Sequence, residues 1–170
     1  NFFAGKDYVT LFKAWQLFLD RTNSNSILLI AGDEGGKGKM ELYKRKVIDL
    51  QIENNVKFLG STSYNIELLN IAHANVLSTL NEGLPNAVIE TLGMETPFIG
   101  TDVDGVREVV GKNYPIPLFS VGNYQELSSC ILGVYNCDYD LTCIQDYSVS
   151  RFKLFSVENL ITNYTKIIEL

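Results

Sequence analysis

Two glutamates and a lysine carry the chemistry to trace in this sequence. Glu82 and Glu90 lie eight residues apart within residues 81–102, NEGLPNAVIETLGMETPFIGTD. Gly83 and Pro85 punctuate the chain directly after Glu82, which puts that acid in a loop. Asn86 reads as a helix N-cap and 87–94 as the helix, which Pro97 brings to an end by Thr96. Glu90 then stands about one turn into the helix. The two acids therefore flank a helix N-terminus instead of sharing a helix face. Unpaired N–H groups and a partial positive charge gather at such a terminus and suit a phosphate. A carboxylate on either side can accept hydrogen bonds from sugar hydroxyls. A diphosphate with a sugar at each end would match the arrangement. A plainer reading needs no ligand: with 20 acidic residues in the chain, such a pair arises by chance, Glu90 serving the helix dipole and Glu82 as a solvated loop acid.

The elements around these residues define how they are held. Residues 75–80 (NVLSTL) read as a buried strand before the loop, and Phe98, Ile99 and Gly100 as a strand after the helix. The loop thus leaves the C-terminal end of a strand, where open α/β sheets bind ligands. Asp7 is the expected cap of a first helix whose apolar face is Tyr8, Leu11, Phe12, Trp15, Phe18 and Leu19. Lys6 then sits between strand and helix. Residues 26–32 read as a strand, Met40, Tyr43, Val47 and Leu50 mark a second helix, and 56–59 a strand ending at Gly60. Ser61-Thr62-Ser63 leads into a helix over 64–72, with Ser63 the expected cap. Residues 116–119 give a last strand. Leu127, Ile131, Val134 and Tyr135 mark the next helix. Val157, Leu160, Ile161, Tyr164, Ile167 and Ile168 mark the final one, capped at Ser156. This alternation predicts a Rossmann-like α/β fold, a parallel sheet with helices on both faces. Right-handed crossovers line up the loops after Gly5, Gly32, Gly60 and Leu80 on one edge. Lys6, Ser61, Glu82 and Glu90 should meet there.

Composition narrows the alternatives. At 170 residues the chain suits one domain with its own core. A net charge of −6 without a basic patch argues against nucleic acid and against anchoring to anionic lipid. No apolar run reaches the roughly 18–20 residues of a membrane span. The spacing of Cys130, Cys137 and Cys143 fits no zinc ribbon, and three cysteines make no disulfide framework, so they read as reduced thiols of a cytoplasmic protein. His73, the single histidine, reads as a partner for a helix C-terminus and not as a metal ligand. The glycine-rich stretch 32–39 invites a P-loop reading, but Lys39 is followed by Met40, and no Gly-x-Gly-x-x-Gly opens the helix. The opening Asn1-Phe2-Phe3-Ala4-Gly5 reads as a sequence entered partway through a strand, and the chain as part of a longer protein.

The stretch from Glu82 resembles the donor-binding motif of retaining GT-B glycosyltransferases of family 4: Glu-Gly, a second Glu eight positions on, then a Thr-Pro strand entry. Here these are Glu82-Gly83, Glu90, Thr96-Pro97 and Thr101-Asp102. The resemblance extends to ILLIAGD at 27–33, NVKFLG at 55–60 and the closing helix at 155–168, covering essentially the whole chain in order. It implies that 1–170 form a single nucleotide-sugar-binding domain, the C-terminal half of a GT-B enzyme, with the acceptor glycan or lipid-linked glycan bound by an N-terminal domain. It implies a nucleoside-diphosphate sugar as donor, most often UDP-linked, retention of anomeric configuration and no metal or other cofactor. Lys6 would hold the diphosphate together with backbone N–H groups near Leu84 to Asn86, within a donor-binding stretch of Gly83, Leu84, Pro85 and Asn86. In the family an arginine about six residues before that lysine helps, which here falls ahead of Asn1. Glu90 would bind the ribose hydroxyls, Glu82 the transferred sugar, and the loop at Gly60 and Ser61 the base. Cell-surface polysaccharide synthesis, in the cytoplasm or at the inner face of the membrane, is the implied setting. The family's Gly-Gly and following proline are Asp104, Gly105 and Arg107 here, its glycine before Thr-Pro is Glu95, and its Asn-Gly turn is Tyr114-Pro115. A nucleotide-sugar epimerase of the same architecture, or a non-catalytic Rossmann-like interaction module, would share much of this pattern.

Overall fold

The computed structural model describes residues 5–33 and 38–168. Helix α1 (Tyr8–Thr22) starts as the sequence predicts, with Asp7 accepting from the Thr10 N–H at 3.0 Å and from the Thr10 hydroxyl at 2.6 Å. It stops at Asn23, whose left-handed backbone (φ 49°) lets its N–H reach the Leu19 carbonyl. Leu11, Phe12, Ala14, Trp15 and Phe18 are buried, while Lys13 on the opposite face is exposed. Trp15 also donates its indole N–H to Asn55 O at 3.1 Å, which satisfies the one polar atom of that ring.

The strands pair in parallel, as the alternating pattern requires. β1 (Leu28–Ala31) pairs with β2 (Val56–Gly60), Leu28 opposite Val56, with a register shift between Ile30 and Ala31. β3 (Asn75–Leu77) pairs with β4 (Phe98–Gly100), Asn75 opposite Phe98. Between them run α2 (Lys39–Asp49), α3 (Asn65–Ile71) and α4 (Asn86–Gly93). α5 (Asp104–Val110), α6 (Tyr124–Tyr135), α7 (Leu141–Phe152) and α8 (Val157–Ile168) follow β4. All three residues of β4 are buried, and the strand touches α4 and α6, while α1 packs on α6 and α4 on α7. Helices thus cover both faces of an α/β, Rossmann-like layer. No helix of the described residues is long and apolar enough to cross a membrane.

Several sequence expectations are corrected by geometry. The strand expected at 116–119 shrinks to one parallel bridge, Thr101 with Phe119. Pro115 and Pro117 have no N–H to give a ladder, so pairing is limited to Phe119, which exchanges bonds with Gly100 O (3.0 Å) and the Asp102 N–H (2.7 Å). Helix α4 is capped by Pro85 and not by Asn86, which is its first residue and gives no side-chain cap. Ser63 does not cap α3 either; the chain turns there through Tyr64 N–H on Thr62 Oγ1 at 3.1 Å. Ser156 does accept from the Asn159 N–H at 3.3 Å, as expected of a cap for α8. Val157 and Ile161 of that helix are exposed, and the side chains of Leu160, Tyr164, Ile167 and Ile168 lie outside the described residues. So do residues 1–4 of the strand expected to run into Gly5, and the glycine-rich residues 34–37.

Helix α7 has no counterpart in the sequence reading. Asp140 caps it, accepting from the N–H groups of Thr142 (2.9 Å) and Cys143 (3.2 Å). Only Ile144 and Ser148 are buried along its length, which leaves too thin an apolar stripe for periodicity to reveal. Its work is polar. Tyr147 Oη donates to Val110 O at 2.9 Å and Arg151 Nε to Val109 O at 2.7 Å, capping the open carbonyls at the end of α5.

Candidate functional site

Lys6 is positioned by backbone before its side chain does anything. It forms an antiparallel bridge with Thr79, and both flanking residues are bonded to the same segment: Asp7 N–H to Ser78 O at 2.9 Å and Leu80 N–H to Gly5 O at 2.8 Å. This ties the entry of α1 to the end of the β3 segment, 73 positions from Lys6 to Thr79. The Lys6 ammonium reaches across and forms an ion pair with Glu82 Oε1. Both side chains are mostly covered, at 27% and 18% exposure, so the pair is less screened than a surface one.

Beneath the pair lies a buried hydroxyl. Thr79, 1% exposed, places Oγ1 at 2.7 Å from Gly5 O, 2.9 Å from Asn81 O and 3.2 Å from Glu82 Oε1. Its own N–H donates to Thr101 Oγ1 at 2.9 Å, and Thr101, fully buried, donates in turn to Leu77 O at 3.2 Å. Two threonines at the ends of neighbouring strands therefore fix the point where the loop begins.

The loop is held from behind by Gly105, in the first turn of α5. A β-carbon there would lie 1.8 Å from Gly83 O and 2.5 Å from Glu82 O. No side chain fits, so glycine is what allows the helix end and the loop backbone to touch. At the rim, Arg107 bonds Asp102 Oδ1 and Asp104 Oδ1, both at 2.5 Å, and Asp102 O at 3.2 Å. These groups are exposed, so their ion pairs add little stability, but they crosslink the start of α5. Hydrogen bonds to Asp102 are the main reason the guanidinium is held above its already high ordinary range, and the neighbouring Asp104 adds to it.

Beyond Glu82 the loop opens to solvent. Gly83 and Leu84 are exposed, and Pro85 is buried as the anchor of α4. The Val88 and Ile89 N–H groups turn back on Pro85 O. Among the described residues the N–H groups of Gly83, Leu84, Asn86 and Ala87 meet no acceptor. They form a short row of open donors at the positive end of α4. Glu90 is exposed on the second turn of that helix, without a side-chain partner among the described residues.

The structure thus brings Lys6 and Glu82 into contact and sets Gly83, Leu84, Pro85 and Asn86 directly after them. Glu90 stands on the same helix, as the spacing requires. Gly60 and Ser61 are not bonded to this group. Gly60 has a left-handed backbone (φ 70°) and accepts from the Gly32 N–H at 2.8 Å, and Ser61 is exposed. His73 is exposed just beyond the end of α3. Among the described residues no group of three or more His, Cys, Asp or Glu side chains is arranged to hold a metal ion. A groove of about 330 Å³ at the far end of α1, lined by Gln16, Asp20, Asn23 and Gln51 among others, contains no basic side chain and lies away from Lys6. The sequence reading gave no role in holding the loop to Thr79, Thr101 or Gly105. Gly105 left a trace, a glycine inside a helix's first turn, which signals close approach.

With this arrangement established, comparison with known proteins identifies the family. A sequence model of the glycosyl transferases group 1 family matches residues 1–141. The chain belongs to this family. An uncharacterized glycosyltransferase of Methanocaldococcus jannaschii is 39% identical over 87 residues, 51% of this chain and 21% of that protein. Anabaena HepE, solved with UDP and glucose, superposes with a TM-score of 0.86 at 17% identity over 99% of this chain and 46% of that one. S. aureus TarM, solved with UDP, superposes at 0.81 with 18% identity, over 98% of this chain and 33% of that one. At such identities the superpositions speak for the fold alone. This group 1 chain spans less than half the length of each of these relatives.

Proposed function

We propose that this chain is the donor-binding, C-terminal half of a retaining GT-B glycosyltransferase that uses a nucleoside-diphosphate sugar, UDP-linked in the first instance. The observation that carries the reading is the Lys6–Glu82 pair beside the open N–H groups of Gly83, Leu84, Asn86 and Ala87 at the start of α4. A cation and a row of unpaired donors at a helix N-terminus are what a diphosphate requires. That HepE and TarM were solved with UDP supports the choice of nucleotide.

In this reading Lys6 and the N–H groups of Gly83, Leu84 and Asn86 hold the diphosphate, with Pro85 as the anchor that turns them outward. Glu82 accepts hydrogen bonds from the transferred sugar and Glu90 from the ribose. The base rests on the loop at Gly60 and Ser61. As the glycosidic bond breaks, the departing diphosphate gains charge. Donors fixed in advance stabilise that charge more in the transition state than in the ground state. Lys6 and the N–H row supply the neutralisation, so no metal is required. The acceptor is bound by another domain, and this chain alone transfers no sugar. Polysaccharide synthesis in the cytoplasm, or at its membrane face, fits such a donor site.

Calorimetric titration with UDP, GDP, ADP and NAD, with Glu90→Ala as control, tests the reading. Saturable binding of one nucleoside diphosphate, lost in the variant, is expected. No binding to any of them by the complete protein would instead favour a non-catalytic interaction module.

A further inference from the structure

We propose that Thr79 is a positioning residue for Glu82, holding that carboxylate in place when Lys6 turns from it to the diphosphate. The inference rests on the roles given above to Lys6 and Glu82. Its own basis is the geometry of one buried hydroxyl.

Thr79 Oγ1 has a single proton and three acceptors within reach: Gly5 O, Asn81 O and Glu82 Oε1. It can serve only one at a time. Gly5 O already accepts from the Leu80 N–H, and Glu82 Oε1 from Lys6, so in the structure described the proton is least needed at these two. The balance changes when a diphosphate competes for the Lys6 ammonium. Glu82 Oε1 then loses its charged donor at a place only 18% exposed, where water replaces it poorly. The Thr79 hydroxyl is the one other donor within hydrogen-bond distance of that oxygen among the described residues. At 1% exposure it has no competing solvent. Its backbone is bonded to Thr101 and bridged to Lys6, and a β-branched side chain has few alternative rotamers. A small rotation of the hydroxyl proton, from Asn81 O to Glu82 Oε1, keeps the carboxylate aimed at the sugar while Lys6 serves the leaving group. The proton stays on Thr79 throughout and no bond to it is broken.

The test uses the complete protein and compares Thr79→Val, which keeps the shape and removes the proton, with Thr79→Ser, which keeps the proton. Thr79→Val is expected to lower kcat about tenfold with the donor KM and the affinity for UDP alone changed less than threefold, and Thr79→Ser to recover most of that loss. In a Glu82→Ala background Thr79→Val should lower kcat less than twofold further. Equal losses in the valine and serine variants, or an undiminished loss in the Glu82→Ala background, would overturn the proposal. A second measurement does not depend on transfer: the ¹³C resonance of the Glu82 side-chain carboxyl, assigned through Glu82→Gln, in protein mixed with UDP. It should move in Thr79→Val and stay in Thr79→Ser. An unmoved resonance in Thr79→Val would overturn the positioning role. Absence of sugar transfer by the unaltered protein would count against the donor reading, and the resonance would still decide the part played by Thr79.

Discussion

Two loops leave the C-terminal ends of parallel strands here, and they are built in opposite ways. After β2, residues 60–64 are held sparsely: one bond from a distant segment, Gly32 N–H on Gly60 O, and one local bond, Tyr64 N–H on the Thr62 hydroxyl. Ser61, Ser63 and Tyr64 are exposed. After β3, residues 78–85 are fixed by contacts from three distant segments. Lys6 comes from before α1, Thr101 from the end of β4 and Gly105 from the start of α5. A loop that offers only backbone groups to a flat base can be simple. A loop that must hold a carboxylate and a cation at fixed separation has to be overdetermined, because small displacements of charged groups cost large factors in rate. In the proposed function the second loop carries the chemistry and the first the recognition, a division this difference would fit.

The comparison can be broken most directly at Lys6. Removing one prepositioned donor to a developing charge costs about 2.7–4 kcal/mol of barrier. Lys6→Ala in the complete enzyme should therefore lower turnover by about a hundredfold or more, and steady-state kinetics with near-normal kcat would refute the role. Next is Gly105→Ala, where the added methyl group meets the Gly83 carbonyl. Overpacking of this kind costs about 1–3 kcal/mol. The loop carrying Glu82 should shift and kcat fall by about tenfold, with a lowered melting temperature. An alanine variant with unchanged kcat and stability would show that the contact between α5 and the loop is dispensable. Glu90→Gln should act on affinity. A hydrogen bond to a charged group contributes about 1.5–3 kcal/mol, so donor binding should weaken about tenfold or more with kcat changed less than threefold. Unchanged affinity in calorimetry would remove Glu90 from the ribose.

Gly60→Ala should give the smallest effect. Open space surrounds a β-carbon at that position, and only the left-handed backbone (φ 70°) opposes it. The cost is about 1–2 kcal/mol of stability, with donor KM within about threefold of the unaltered protein. If Gly60→Ala were as damaging to kcat as Gly105→Ala, the contrast between the loops would be wrong.

What the sequence revealed follows the same division. Local pattern was enough for the alternation of strands and helices, for Asp7 as a cap and for the loop containing Glu82. Lys6 and Glu82 were each legible as candidates, but their ion pair was not, since no spacing rule links positions 76 residues apart. Gly105 and Thr79 matter through tertiary contacts, a carbonyl 22 positions upstream and a hydroxyl shared among three oxygens, which leave no period in the chain. Helix α7 escaped because it is held by Tyr147 and Arg151 on the end of α5 more than by an apolar stripe. The strand expected at 116–119 contracts to a single bridge at Phe119 because Pro117, inside the apolar run, has no N–H to give a ladder.

The central claim is that the diphosphate sits on the loop after β3. It is tested most directly by following backbone amide resonances of the complete protein as UDP is added. The account predicts that the largest shifts fall at Lys6, Gly83, Leu84, Asn86 and Ala87, with smaller ones at Gly60 and Ser61. Saturating shifts that spare 83–87 and Lys6 would contradict it, and would move the nucleotide to another face of the molecule.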